Sequence, residues 1–348
     1  MIYPMVSVII LNYNGRKNLG VLLEKCLESV LKTDYPNFEV LFVDNASTDN
    51  SAEFVKRKFG QNQKLRIIRN KRNFGFAEGN NIGIRNAQGE YIALLGSDIR
   101  VDPKWLKELA KAIQLPEIGA AQSKLLRMDE PHLFDCAGGF IDYYGYSNDR
   151  GHGEEDRGQY NFFDEIFYAK GAACILKRKV LKEVGLFDQE FFIYYEDADL
   201  CWRMRLRGYK IIFVPTSIVY HTTGKTISKL QKSIQRYFFT RNLMFTLLKN
   251  YNRRNFCKYS IILSILELRN ALLFTIRGAA FTGIAIVKAL LWNFLNLRRN
   301  LRKRGTVQLL IRRLPDEMIK KVMNKPYPPF PQCLIPRSYF LKRRLYFR

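Results

Sequence analysis

The residues best suited to chemistry are acidic or amide side chains, and they stand at the ends of apolar runs. Asn12-Tyr13-Asn14 follows the run 5–11, Asp44 follows Val40-Leu41-Phe42-Val43, and Ser97-Asp98 follows Ala93-Leu94-Leu95-Gly96. Taken singly, each reads two ways. Asp44 is an Asx turn leading into a helix, or a carboxylate that accepts hydrogen bonds from a nucleobase or ribose. Asp98 is a loop residue ahead of Pro103, or a hard oxygen ligand for Mg2+ or Mn2+. Such an ion needs only one or two protein carboxylates when a substrate diphosphate supplies the rest. Glu196-Asp197-Ala198-Asp199 crowds three acids into a helix start, directly after Phe191-Phe192-Ile193-Tyr194-Tyr195. Capping and the helix dipole would be served by one of them. Like charges held close in an apolar setting raise one another's pKa, which suits a general base near neutral pH.

Elements of a definite kind are needed to bring these residues together. Strand-like runs at 5–11, Phe38–Val43, Leu65–Ile68 and Glu90–Leu95 alternate with helical patterns near 16–31, 50–59, 77–87 and 103–113. Strand alternating with helix means βαβ units, and hence a mostly parallel α/β sheet covered on both faces. Ligands of such sheets bind beyond the carboxyl ends of the strands, where the polar clusters fall. From 117 to 176 the pattern is irregular and rich in Gly and Tyr, and Ser147–Gln159 reads as an exposed loop. Glu196–Gly208 reads as an amphipathic helix ending on a glycine cap, followed by a strand Lys210–Val214 and a proline.

In this order and spacing the clusters resemble family 2 of the inverting glycosyltransferases, which have the GT-A fold, and in particular its rhamnosyltransferase-like branch that builds surface polysaccharides. The resemblance runs through Val6–Gly15, Val43–Ser51, Asn73–Gly83, Leu94–Leu106, Lys170–Ile175, Val184–Asp188, Glu196–Gly208, His221–Gly224 and Tyr237–Asn242. It implies that Asn12, Asn14 and Asp44 line a nucleotide pocket and that Asn73, Gly75 and Ser97 lie along the nucleotide sugar. It further implies that Asp98 and His221 hold Mg2+ or Mn2+, and that Asp197 is the catalytic base with Glu196 as its partner. The implied partners are a nucleotide-sugar donor, with dTDP-rhamnose the first expected by resemblance, and a glycan or lipid-linked glycan acceptor. One departure stands out: Gly96 occupies the position where many relatives carry Asp or Asn, two residues before the final acid. That leaves a catalytically weak scaffold as a rival reading, beside a polyprenyl-phosphate sugar synthase.

The net charge of +25 suggests nucleic acid at first sight, but its distribution does not. Residues 1–220 hold 30 basic and 29 acidic side chains, whereas 221–348 hold 27 basic and three acidic ones. The boundary is therefore expected after residue 225, with a transferase domain over 1–225 and a basic helical region over 226–348. Residues 259–297 are strongly apolar, yet their longest uncharged run is only Gly278–Val287. Drawn as one helix, Glu267–Arg298 gathers Arg269, Arg277, Lys288 and Arg298 on one stripe, with Gly278 and Gly283 as candidate breaks. This pattern predicts a helix lying in a membrane interface, with the clusters Arg298–Arg304 and Lys342–Arg348 adding attraction to anionic lipid. The region lacks the aromatic-interleaved basic strands of a nucleic-acid binder, so none is expected as partner. The six cysteines form no CxxC and read as reduced thiols. With a strand-like run opening the chain, the expected location is the cytoplasmic face of the membrane, as a peripheral or monotopic protein.

Overall fold

The computed structural model describes residues 3–222 and 231–324. The expected boundary at 225, the residues Thr223-Gly224 and the cluster Lys342–Arg348 lie outside the described residues. The first half is built from β1 (Val6–Asn12), α1 (Gly15–Leu19), α2 (Val21–Leu31), β2 (Phe38–Asp44), α3 (Ser51–Phe59), β3 (Leu65–Arg69), α4 (Gly75–Asn86), β4 (Tyr91–Gly96), β5 (Ile99–Val101) and α5 (Trp105–Ala112). There follow β6 (Ile118–Arg127), β7 (Phe134–Cys136), β8 (Gly139–Ile141), β9 (Ser147–Asp149), β10 (Asp164–Glu165), β11 (Ala173–Lys177), α6 (Arg178–Val184), α7 (Glu196–Arg207) and β12 (Lys210–His221). The helical remainder comprises α8 (Lys232–Asn250), α9 (Arg253–Ile276), α10 (Ala280–Leu295), α11 (Leu297–Gly305) and α12 (Asp316–Lys320).

The central sheet runs β10-β12-β6-β11-β4-β1-β2-β3, and it is mixed rather than mostly parallel. Its β4-β1-β2-β3 half is parallel, as the βαβ pattern demands. β11 then lies antiparallel to both β4 and β6, while β6 and β12 run parallel. The reason is the connection: the chain passes from β6 to β11 through short strands and turns, without the crossover helix that would return it in the parallel sense.

Side chains of alternating residues feed two apolar layers, one on each face of the sheet. Val8, Ile10, Val40, Phe42 and Leu95 pack with residues of α2, α3 and α5. Ile9, Leu41, Val43, Ile92 and Leu94 pack with residues of α4, α6, α7 and α8. β12 is longer than its sequence pattern suggests: after a register shift between Val214 and Ile218 it resumes pairing and ends at His221. The stretch Ser147–Gln159 is also more anchored than an exposed loop, because β9 pairs with β8 and Lys124 Nζ reaches Asp156 Oδ2 at 2.7 Å.

The C-terminal region is not one long helix. Gly278, at φ 78°, separates α9 from α10 and folds them into a hairpin, so the single basic stripe drawn through Glu267–Arg298 does not form. This region is fastened to the sheet-bearing half by a buried charge network. Lys249 of α8 lies 2.9 Å from both Asp188 and Asp199, and Lys303 of α11 also bonds Asp188. Glu267 of α9, fully buried, accepts hydrogen bonds from Tyr146, Arg236 and Thr240. Such partners are what a buried carboxylate requires.

Candidate active site

Strand register builds the first part of the site. Asn12 and Asp44 are paired residues at the carboxyl ends of β1 and β2, and Leu11 is level with Gly96 of β4. Asn12 Nδ2 donates to Asp44 Oδ1 at 3.1 Å and to Ser47 Oγ at 3.1 Å, and Ser47 donates its hydroxyl and backbone N–H to the Asp44 carboxylate. Asn12 is fully buried and its Oδ1 has no partner among the described residues, a free acceptor at the strand ends. Asn14, in the left-handed region at φ 52°, uses its Oδ1 to hold Thr48 N at 2.8 Å. Asn73 holds Asn45 and the Gly75 N–H. Gly75 faces Phe192: a Cβ there would lie 2.5 Å from that ring, so a side chain at 75 would push away the segment that carries the acidic cluster. Ser97 is half-buried in the turn after β4.

The second part joins β5 and β12. Their antiparallel register sets His221 opposite Ile99, and so brings its ring to Asp98, with Nε2 and Asp98 Oδ1 3.5 Å apart. On its other side His221 Nδ1 lies 2.9 Å from Oδ2 of Asp135, a fully buried carboxylate on β7. Burial alone would keep the imidazole neutral, but the bonds to Asp135 and Asp98 outweigh it and push its pKa up to about 9. A carboxylate on Nδ1 is the usual support of a metal-ligating histidine, and Nε2, which faces Asp98, would give up its proton on binding an ion. Among the described residues no group of three His, Cys, Asp or Glu gathers as a closed metal cage. A two-ligand set fits an ion whose remaining shell comes from diphosphate and water. Gly96 belongs to the same geometry: a Cβ at that position would lie 2.6 Å from Asp98 Oδ1. A side chain there would make the Asp98 carboxylate turn away from this position.

Asp135 is absent from the sequence reading. It lies 86 positions from His221, in a three-residue strand with no motif around it, and only the alignment of β7 on β6 and of β6 on β12 brings the two together. As a positioning residue it has a measurable consequence. Asp135→Asn is expected to weaken Mn2+ binding by about 10–100-fold, read by titration calorimetry, with Asp135→Glu recovering part of the loss.

The third part is the acidic cluster. Lys170, half-buried between Asp149 (2.8 Å) and Asp135 (3.5 Å), links it to the histidine. The next residue, Gly171, donates its N–H to Asp197 Oδ2 at 3.3 Å, and Ala198 N donates to Asp197 Oδ1 at 2.7 Å. The three acids are sorted by their surroundings. Asp199 is also pressed upward by burial, but Lys249 and Arg203 prevail and hold it low as a structural anion. Glu196 is buried, its Oε2 has no hydrogen-bond partner among the described residues, and burial together with the Asp197 charge pushes its pKa well up. Asp197, half-buried and with two N–H donors, is raised by burial to about 6. Of the three, Asp197 alone is ionised at neutral pH without being locked in an ion pair.

The segment that presents these acids is strained. Phe192, Tyr194 and Tyr195 all sit at φ between 60° and 70°, where a bulky side chain costs about 1–3 kcal/mol each. Asn242 of α8 holds this conformation by reaching three carbonyls of the segment, those of Phe191, Ile193 and Tyr194, at 2.7–2.9 Å. Arg241 bonds the Phe191 carbonyl at 3.0 Å and that of Glu190, and the Phe192 ring stacks on Phe238 at 5.3 Å. The segment Tyr237–Asn242 therefore acts as a clamp. Asn242→Ala is expected to lower kcat by about 10²-fold, because a displacement of about 1 Å suffices for that. Donor KM should change less than kcat, since Asn12, Asn14 and Asp44 lie on other elements and of the expected donor residues Gly75 faces the clamped segment; steady-state kinetics separate the two.

The site is thus an α/β sheet with amide and carboxylate side chains at its strand ends, an acid–histidine pair and a buried acidic helix start. The sequence profile of glycosyl transferase family 2 matches residues 7–185, and the chain belongs to that family. The uncharacterized protein y4gI of Sinorhizobium fredii is 32% identical over 230 residues, covering 63% of this chain and 24% of its own length. The dTDP-rhamnosyl transferase RfbF of Shigella flexneri is 25% identical over 262 residues, covering 71% of this chain and 81% of its own. Among solved structures, GalNAc-T7 with UDP, GalNAc and Mn2+ superposes with a TM-score of 0.58 at 18% identity, over 72% of this chain and 49% of that one. The chain thus spans about a quarter of y4gI, and the solved structure speaks for the fold, which is GT-A-like with a mixed central sheet.

Proposed function

We propose that the chain is an inverting glycosyltransferase that moves a sugar from a nucleotide diphosphate to a hydroxyl of a glycan or lipid-linked glycan acceptor. The observation that carries this reading is the convergence, around Lys170-Gly171, of the Asp98–His221 pair and Asp197. Asn12, Asn14 and Asp44 would hold the nucleoside, with the free Asn12 Oδ1 accepting from it. Asp98 and His221 would hold Mg2+ or Mn2+, which when bound neutralises charge developing on the departing diphosphate. Asp197 takes the proton of the acceptor hydroxyl as its oxygen bonds to the anomeric carbon, and the sugar–phosphate bond breaks on the opposite face. A single displacement of this kind inverts the anomeric centre. Holding both substrates in line lowers the entropic part of the barrier.

RfbF, with its coverage of 81%, supports dTDP-rhamnose as the first donor to try. The test is release of nucleoside diphosphate from a panel of dTDP-, UDP- and GDP-sugars, with lipid extract as acceptor. Release from one donor, abolished by EDTA and restored by Mn2+ or Mg2+, is the expected result. A complete panel that yields no release would favour the scaffold.

A further inference from the structure

The outer surface of the α9–α10 hairpin is apolar in a way the packing of the chain does not explain. On α9, Ile261, Ile265, Leu268, Leu272 and Ile276 are each more than half exposed. At 100° per residue they fall within about 80° of arc, a single stripe along the whole helix. On α10, Phe281, Leu291, Phe294 and Leu295 are exposed to between 51% and 82%. The polar side of the hairpin faces the other way. Glu267 and Asn270 of α9 are buried, with Glu267 bonded to Arg236 and Thr240 of α8, and Asn293 of α10 donates to the Arg241 carbonyl. A helix pair with its polar groups turned toward the domain and its apolar groups turned outward requires an apolar neighbour.

The charges around the stripe indicate which neighbour. Exposed Arg253, Arg254 and Lys258 stand at the start of α9, and exposed Arg298 and Arg302 stand on α11. These two groups meet at the open end of the hairpin, where Arg304 of α11 lies 5.7 Å from the Phe256 ring and bonds the Tyr251 carbonyl. Arg277 caps the closed end and Lys288 lies between. Acids are few beside them: Glu267 is spent on α8, Asp316 is buried against Arg312, and among the described residues of the helical region only Glu317 of α12 is an exposed acid. A second copy of this chain would set cation against cation. A leaflet of anionic lipid offers hydrocarbon to the stripe and phosphate to its basic ends.

We infer that the α9–α10 hairpin is a monotopic membrane-docking surface, lying flat with its Ile261–Ile276 stripe in the acyl boundary of an anionic leaflet. At 24 residues α9 is long and apolar enough to cross a bilayer. Crossing would strip Glu267 of its partners and bury it in hydrocarbon, which the flat orientation avoids. α8 carries both the residues that bond the hairpin and the Arg241-Asn242 clamp on the acidic segment. Docking therefore sets the acidic helix start at a fixed relation to the lipid surface. The inference stands on the hairpin alone and is independent of the transferase chemistry.

The test is co-sedimentation of the full chain with phosphatidylcholine vesicles, with and without phosphatidylglycerol. Binding to the anionic vesicles that survives high salt in part is expected, because apolar insertion persists when charge is screened. The double variant Leu272→Asp with Ile276→Asp, on exposed positions, should lose at least about tenfold in partitioning. Arg254→Glu with Arg298→Glu should lose binding chiefly at low salt. Both should keep the wild-type thermal melt. Three results overturn the inference: a wild-type chain left in the supernatant by every vesicle; equal binding by the aspartate variant; or a vesicle-indifferent dimer in light scattering that the aspartate variant dissociates.

Discussion

Asp197→Asn is expected to lower kcat by about 10³-fold, the middle of the range for loss of a positioned general base. The substitution keeps the shape of the side chain and one oxygen, which can accept the shorter of the two bonds, that from Ala198 N–H at 2.7 Å, while the longer bond from Gly171 N–H at 3.3 Å is given up; the loss therefore reports chiefly on proton removal. Its pH dependence gives a second reading. With Asp197 raised to about 6, the wild-type rate should climb through that pH and level off above it, and the variant should lose this limb. Stability follows the opposite sense. The folded chain binds this proton more tightly than an unfolded chain, whose aspartate titrates near about 3.9. The stabilising contribution is therefore full below the unfolded value and is lost as pH rises through 6. At neutral pH the asparagine variant, which carries no charge to bury, should melt at the wild-type temperature or above it. Glu196→Gln should act more weakly, since Glu196 is held protonated by burial and by its neighbour.

Asp98→Ala should cost about as much, again near 10³-fold, by removing one of the two protein ligands offered to the ion and with it several kcal/mol of stabilisation of the leaving diphosphate. Calorimetric titration of Mn2+ in the presence of nucleoside diphosphate should show the affinity falling in parallel. The fold should be little affected, as His221 is the only side chain ion-paired with Asp98 among the described residues. If kcat fell with Mn2+ affinity intact, Asp98 would have some other role.

Asp44, Asn12 and Asp98 are visible in the sequence because each follows an apolar run, and in a parallel α/β half the ends of such runs are where ligands bind. The helix start at Glu196 is visible because three acids in four residues exceed what a cap needs. What separates the three is not visible: besides Arg203, four residues away, Asp199 is claimed by Lys249 and Asn250, some fifty residues further on, and Glu196 is set apart by burial, which together leave Asp197 as the proposed base. Asp135 is invisible for the same reason, as its partner comes from strand register. The sense of β11 is likewise hidden, because Ala173–Lys177 is a short apolar run whose direction depends on how the chain returns to the sheet. The positive φ values at Phe192, Tyr194 and Tyr195 oppose local preference and persist because Asn242 and Arg241 hold them. In the C-terminal region the glycine at 278 pointed to a possible break, but only the packed hairpin shows which apolar residues it leaves outside.

The most direct test of the account is the rate of nucleoside diphosphate release, with saturating donor, acceptor and Mn2+, followed from pH 5 to pH 8 for wild type and Asp197→Asn side by side. The account predicts a wild-type limb with a midpoint near about 6 and a variant slowed by about 10³-fold without that limb. A variant that keeps the wild-type rate and profile would contradict it, and would move the proton transfer away from Asp197.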